Sequence, residues 1–203
     1  YIGNPNLKNE KALETQIKVT LPLDNLELGL EGNYFHTRDY IIGEIDPTLN
    51  EMTIGADGVK VYTNLKHTNL YSVSMDMEYK FTPELNWSGR VSYHRGTDHN
   101  GRNLPFISPV DYRSQLSYAH GSFSGSVTLS GAMEQTNFSP TFGEDRTSAY
   151  TLLSLSLGKT FSLGGNMLYV KAGVENLFDT YYSTYSDWNN IPRMGRNFFM
   201  TLS

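Results

Sequence analysis

The stretch Tyr71-Ser72-Val73-Ser74-Met75-Asp76-Met77-Glu78-Tyr79-Lys80-Phe81 decides how this chain is read. Every odd position is apolar or aromatic and every even one is polar or charged. Successive side chains take opposite faces only in an extended strand, so this segment is a strand with two unlike faces. Working outward, the same period predicts strands near 12–21, 26–39, 62–81, 85–95, 110–119, 123–136, 149–161, 166–177 and 196–203. In the first, Leu13, Ile17, Val19 and Leu21 oppose Glu14, Gln16 and Lys18; in the sixth, Phe123, Val127, Leu129 and Met133 oppose Ser124, Ser126, Ser130 and Glu134. The chain is all-β.

Alternation alone leaves open which face is wet, because a soluble sandwich also buries one side of each strand. Four features favour a membrane. Several runs exceed the usual ~5–6 residues of soluble strands and reach the ~9–11 that cross a bilayer at a tilt. Charge falls on the polar face, as at Glu27, Glu31, Asp76, Glu78, Arg90 and Arg113, while Arg38, Arg95 and Lys159 share the apolar face only at strand ends, where long side chains snorkel. Aromatics form two bands near those ends, with Tyr34, Tyr40, Tyr93, Tyr112, Tyr150 and Phe198 at one level and Tyr79, Phe81, Trp87, Tyr118, Phe123 and Phe161 at the other. Lastly, short connections (22–25, 82–84, 120–122, 162–165) alternate with long ones (40–61, 96–109, 137–148, 179–195). In an up-and-down antiparallel sheet this puts every long loop at one rim and every tight turn at the other.

Composition is compatible with this reading. The 203 residues carry a net charge of −5, with 18% charged residues, 14 tyrosines and no cysteine. No Lys/Arg cluster offers a counterion-releasing surface, so nucleic acid is excluded as a partner. No run approaches the ~18 apolar residues of a membrane helix, and average hydropathy hides strands that turn only alternate residues to lipid. Zero cysteine removes disulfides and thiolate metal sites. The chain opens at Tyr1 and reads as an excised or processed segment.

Two strings carry a family resemblance. Val174-Glu175-Asn176-Leu177-Phe178-Asp179, then a long loop and Pro192-Arg193-Met194-Gly195-Arg196-Asn197-Phe198-Phe199-Met200, resembles the C-terminal signature of TonB-dependent outer-membrane receptors. Asn4-Pro5-Asn6-Leu7-Lys8-Asn9-Glu10 is similar to that family's Asn-Pro-x-Leu-x-x-Glu segment, and Leu104-Pro105-Phe106-Ile107-Ser108-Pro109 precedes a strand between them. The resemblance implies an antiparallel, up-and-down transmembrane barrel with short periplasmic turns and long extracellular loops. This chain would supply nine of its roughly 22 strands. Residues 1–203 would then be the C-terminal part of the barrel, with the plug, the TonB box and earlier strands outside the chain. The motif residues are expected to position strands: Asn176 and Asp179 bond local backbone where a strand leaves the membrane, and Gly195 supplies freedom for re-entry.

The implied activity is active import, energised through TonB, of a scarce nutrient such as a ferric siderophore, haem, cobalamin or another metal chelate, in a Gram-negative outer membrane. Outer-membrane lipid and the ligand would be its partners, and no enzymatic chemistry or cofactor is expected. A passive porin-like channel and a soluble carbohydrate-binding β-protein are the alternatives. Loop residues His99, Arg102, Arg146, Tyr185, Trp188 and Arg193, with Tyr62, form a mixture suited to an anionic, aromatic chelate. His94, Asp98 and His99 are candidate metal ligands by residue type. Met75, Met77, Met133 and Met200 fall on the lipid face, leaving Met52 and Met194 in loops, too few for a thioether copper site.

Overall fold

The computed structural model describes residues 1–51, 56 and 58–203. Nine strands follow one another in a single sheet: β1 (Lys11–Leu23), β2 (Leu26–Asp46), β3 (Val59–Lys80), β4 (Leu85–Asp98), β5 (Asp111–His120), β6 (Phe123–Ala132), β7 (Tyr150–Leu163), β8 (Asn166–Glu175) and β9 (Asn197–Leu202). Each pairs antiparallel with its chain neighbours, in the order β1 to β9. Within this chain the sheet is open, β1 and β9 each pairing on one side.

The tight turns follow from local chemistry. Gly121 (φ 57°), Gly164 (φ 57°) and Gly165 (φ 94°) take the left-handed values that hairpin turns of the right twist require and that Cβ-bearing residues resist. Thr82 holds another turn through its hydroxyl, which accepts from the Glu84 and Leu85 amides at 3.2 and 3.1 Å.

Register carries the period-two pattern across the sheet. Val19, Leu30, Met75 and Val91 line up on four neighbouring strands, as do Lys18, Glu31, Ser74 and Ser92 on the opposite side. The apolar row is exposed: Leu30 keeps 54% of its surface, Met75 45% and Leu157 74%. Water would penalise such a face, since each large apolar side chain gains ~1.5–3 kcal/mol on burial, and its area far exceeds a surface patch of a soluble monomer. The face matches hydrocarbon. Lys159, its one cation near the tight-turn rim, lies 4.6 Å and 5.0 Å from the Phe123 and Phe161 ring centroids. The opposite face is a polar concavity of about 400 Å³ walled by Lys18, Glu27, Glu31, Glu78, Arg90 and Arg113. There Arg90 reaches Asp76 at 3.3 Å.

The structure corrects the sequence reading at the β2–β3 hairpin. The expected loop 40–61 is largely strand, with β2 running to Asp46 and β3 starting at Val59. At ~3.3 Å per residue these strands overshoot any bilayer core. The ladder passes from Arg38↔His67 to Tyr40↔Leu65, and Asp39 between takes φ 53°. Beyond it the buried side changes. Ile42, of the same parity as exposed Leu30, is 9% exposed and packs with Leu65, Leu104 and Phe142. Leu104 and Ile107 cover Gly96, which alternates with Ser92 and His94 on the polar face. Tyr40 therefore joins this cluster and not an aromatic band. Tyr150 also leaves the band, its ring lying 4.7 Å from that of Tyr182. Strand β6 stops at Ala132, four residues early, although Gln135 still bridges Thr147.

Candidate ligand mouth at the long-loop rim

The strand ends Asp46 and Val59 and the connections 99–110, 133–149 and 176–196 lie at one rim, and 24–25, 81–84, 121–122 and 164–165 at the other. The long-loop rim holds two polar centres. The first forms around Arg102. Its Nε donates to Asp98 Oδ2 at 2.7 Å, its Nη1 pairs with Glu44, and its Cζ lies 5.1 Å from the Phe142 ring centroid. The Asp98 side chain is 0% exposed and also accepts the Asn100 and Arg102 amides at 2.8 and 2.9 Å. Below it lies the apolar cluster of Ile42, Leu65, Leu104 and Phe142. Nearby, the Glu144 carboxylate accepts the Ser139 and Phe106 amides at 2.8 and 3.1 Å. Burial raises its pKa against those hydrogen bonds. Arg102 thus ties its own loop to strand β2 and to the β6–β7 loop.

The second centre lies between the β6–β7 and β8–β9 loops. Arg193 grips Asp187 with two nitrogens, Nε to Oδ2 at 2.8 Å and Nη2 to Oδ1 at 2.7 Å. Asp187 Oδ2 also accepts the Thr184 amide at 2.7 Å. The Arg193 hydrogen bond above all holds the Asp187 carboxyl down at a pKa of about 2. Asn190 laces the two loops, donating to the Arg146 carbonyl at 3.0 Å and accepting from Thr147 at 3.0 Å and Ser183 at 3.2 Å. The Arg146 side chain pairs with Glu134 and is 67% exposed. Between the loops is a cavity of about 310 Å³ lined by Asp111, Thr147, Tyr150, Thr184 and Tyr185. His94 Nε2 stands 3.6 Å from Asp111 Oδ2 beside it.

Of the residues singled out from sequence, Arg146, Tyr185 and Arg193 come to this second wall, and Arg102 to the first centre. His99 goes elsewhere, its ring 5.9 Å from that of His67 on the apolar-face side. The Trp188 side chain and Met52 lie outside the described residues. Tyr62 stands in β3 with its ring stacked 6.0 Å from Tyr1, away from these loops. The suggested metal trio separates: His94 faces Asp111, Asp98 holds Arg102, and His99 faces His67. Among the described residues no group of three or more His, Cys, Asp or Glu side chains is disposed to hold a metal. Glu44, Phe142, Asp187 and Asn190 escaped the sequence reading, since nothing local marks a residue whose partner lies in another loop.

The motif residues position backbone. Asn4 accepts the Asn6 amide at 2.9 Å across the turn at Pro5 and donates to the Tyr62 carbonyl at 3.2 Å. Glu10 accepts the Ile41 amide at 2.6 Å. Asn176 (φ 50°) closes a local turn by accepting the Thr180 amide at 2.8 Å and donating to the Thr180 carbonyl at 2.9 Å, and the Leu177 amide donates to the Leu153 carbonyl at 2.8 Å. Phe178 stands 71% exposed at the rim. The Asp179 amide donates to the Asn176 carbonyl at 2.9 Å in that turn, but its side chain crosses the loop to accept the Arg196 amide at 2.7 Å. Gly195 is needed for space and not for freedom, because a Cβ there would stand 2.5 Å from Asp179 Oδ1. Glu175 accepts from Asn197 at 3.2 Å, joining β8 to β9.

Nearest-neighbour antiparallel strands, one apolar and one polar face, and long and short connections segregated by rim define a section of an up-and-down β-barrel wall. The profile of the TonB dependent receptor-like, beta-barrel family matches residues 1–177. The chain belongs to that family. It is similar in structure to the copper transporter OprC (TM-score 0.84, 21% identity), covering 99% of this chain and 33% of that one. The siderophore receptor PirA from Acinetobacter baumannii (TM-score 0.73, 15% identity) covers 98% of this chain and is itself covered to 32%. The FrpB iron transporter from Neisseria meningitidis, F3-3 variant (TM-score 0.71, 14% identity), covers 99% and is covered to 32%. The chain thus spans about one third of the length of these structures. No curated protein matches it in sequence.

Proposed function

We propose that this chain is the C-terminal barrel portion of an outer-membrane receptor that imports a scarce nutrient, a metal ion or metal chelate, with energy delivered through TonB. The family match over residues 1–177 carries this reading, and the names of the similar structures, transporters of copper and iron and siderophore receptors, supply the cargo class. In this reading the strands are wall, with lipid on the side of Met75 and Leu157. The long loops form part of an extracellular mouth, and no covalent chemistry occurs in this segment. Arg146, Tyr185 and Arg193 line the mouth, where Arg193 would exchange Asp187 for an anionic ligand group; Trp188 would join them. Arg102 acts from behind as a brace, and His99 contributes at the rim.

Uptake by the full receptor tests the function. Accumulation of the metal or its chelate should stop when the inner-membrane proton gradient is dissipated or TonB is removed. Uptake indifferent to both would favour a passive porin-like channel. Arg193→Ala and Tyr185→Ala should weaken surface binding of the ligand about tenfold, one lost charge-assisted contact being worth ~1.5–3 kcal/mol. Unchanged binding would remove this wall from the ligand site.

A further inference from the structure

On the lipid-facing side, strands β1 to β4 carry a cationic crown at the long-loop end only. Lys11, Arg38 and His67 stand side by side in one row across β1, β2 and β3. The row below places His36 beside Asn69, and the next sets Tyr34 beside Tyr71 and Arg95. These side chains share a face: Tyr34 Oη donates to Asn69 Oδ1 at 2.9 Å, His36 Nδ1 meets the same oxygen at 2.9 Å, and the Tyr34 and Tyr71 rings stack at 5.0 Å. That face is the lipid side, since Tyr71 continues the exposed line of Val73 and Met75. In each strand the cation or imidazole lies on the loop side of a band tyrosine: Arg38 beyond Tyr34, His67 beyond Tyr71, Arg95 beyond Tyr93.

Lys11, Arg38 and Arg95 have no ion-pair or hydrogen-bond partner from their side chains among the described residues. The carboxylates that adjoin Lys11 and Arg38 in the chain are turned to other work or out of the row. Glu10 is taken by the Ile41 amide, and Asp39 leaves the ladder at its left-handed turn. At the tight-turn end of the same face in these strands, Leu23, Leu26, Tyr79 and Trp87 hold no cation. Unpaired cations on a membrane face, just outside an aromatic band, sit where lipid headgroups carry phosphate.

We propose that this crown binds the phosphorylated headgroup of an anionic glycolipid in the leaflet on the long-loop side. Lys11 with Arg38 forms one phosphate site and Arg95 another, its backbone ~16 Å from that of Arg38, from strand spacing and rise. The imidazoles of His36 and His67 and the Asn69 amide lie between them, suited to sugar hydroxyls. Guanidinium forks fit phosphate oxygens in pairs. The inference rests on the lipid-facing reading of the apolar side given above.

The test is a binding titration on the full receptor, purified in detergent, with bis-phosphorylated lipid A, its dephosphorylated form and inorganic phosphate. Lys11→Gln/Arg38→Gln/Arg95→Gln should weaken binding of the bis-phosphorylated lipid roughly 100-fold, each cation near a charged lipid surface being worth about 1 kcal/mol. Arg38→Lys/Arg95→Lys should retain most of the affinity, and Lys80→Gln, at the other end of β3, should change nothing. Inorganic phosphate should not compete. Full affinity in the folded triple variant, or equal binding of the dephosphorylated lipid, would overturn the proposal. A detergent belt on the folded barrel separates the two readings. Without a belt the membrane assignment fails; with a belt and unaltered lipid binding only the crown does.

Discussion

Asp187 illustrates how far a single side chain can be followed. Its carboxyl, held down at a pKa of about 2 by the Arg193 hydrogen bonds, binds protons more weakly folded than unfolded. The stabilisation it confers is therefore complete above its ordinary pKa and is lost as pH falls from about 4 towards 2; screened by solvent, it amounts to at most about 1 kcal/mol. Protection factors in the 176–196 loop, with amide exchange corrected for its intrinsic pH dependence, should fall over that interval in the native chain and stay flat in Asp187→Asn. Gly195 makes a second residue-scale case. Gly195→Ala drives a methyl into Asp179 Oδ1, which stands 2.5 Å from that Cβ position and must swing off the Arg196 amide, so thermal melting should show a loss of ~1 kcal/mol. Asp179→Ala in the same chain should recover part of it, and a strictly additive double variant would contradict the contact. That Asn176 closes a turn was legible from its residue type; that Gly195 makes room for Asp179 was not, because the pair is separated by the whole loop.

At the scale of elements, the alternation in β3 and its neighbours was readable because each strand presents unlike solvents to its two sides. Met75→Arg should therefore cost ~2–4 kcal/mol in barrel stability measured by denaturant unfolding in lipid, whereas Asp76→Asn, one residue away on the wet face, should cost under ~1 kcal/mol. Legibility ended at Asp39. Tyr40-Ile41-Ile42 is apolar at consecutive positions and has no parity to read, and a left-handed aspartate at φ 53° carries no sequence signature. The extended β2–β3 hairpin and its loop-clamped cluster were missed for that reason. Arg102 is the brace of this cluster. Arg102→Ala leaves Asp98, whose side chain is 0% exposed, without its cation, so hydrogen exchange at 99–110 and 133–149 should rise together, while the tight turns at the other rim stay protected.

For the whole molecule, the fold was legible and the ligand site was only partly so. Strand number, neighbour order and the division of loops between rims all follow from period and spacing, which are local. The mouth is assembled by contacts between loops distant in sequence, such as Asn190 to Arg146 and Arg102 to Glu44, and residue type alone placed His99 with Arg102 although the two face different ways. Family membership and the two-faced sheet meet in one claim, that the side carrying Met75 is bathed in hydrocarbon and the side carrying Asp76 in water. The chain has no cysteine, so once any cysteine elsewhere in the full receptor is replaced, single cysteines can be introduced at each position from 71 to 78 and spin-labelled without background. Collision rates with oxygen and with a water-soluble nickel chelate should then alternate: oxygen dominant at 71, 73, 75 and 77, nickel dominant at 72, 74, 76 and 78. Nickel access at both sets, or protection of the odd positions from both reagents, would contradict the account.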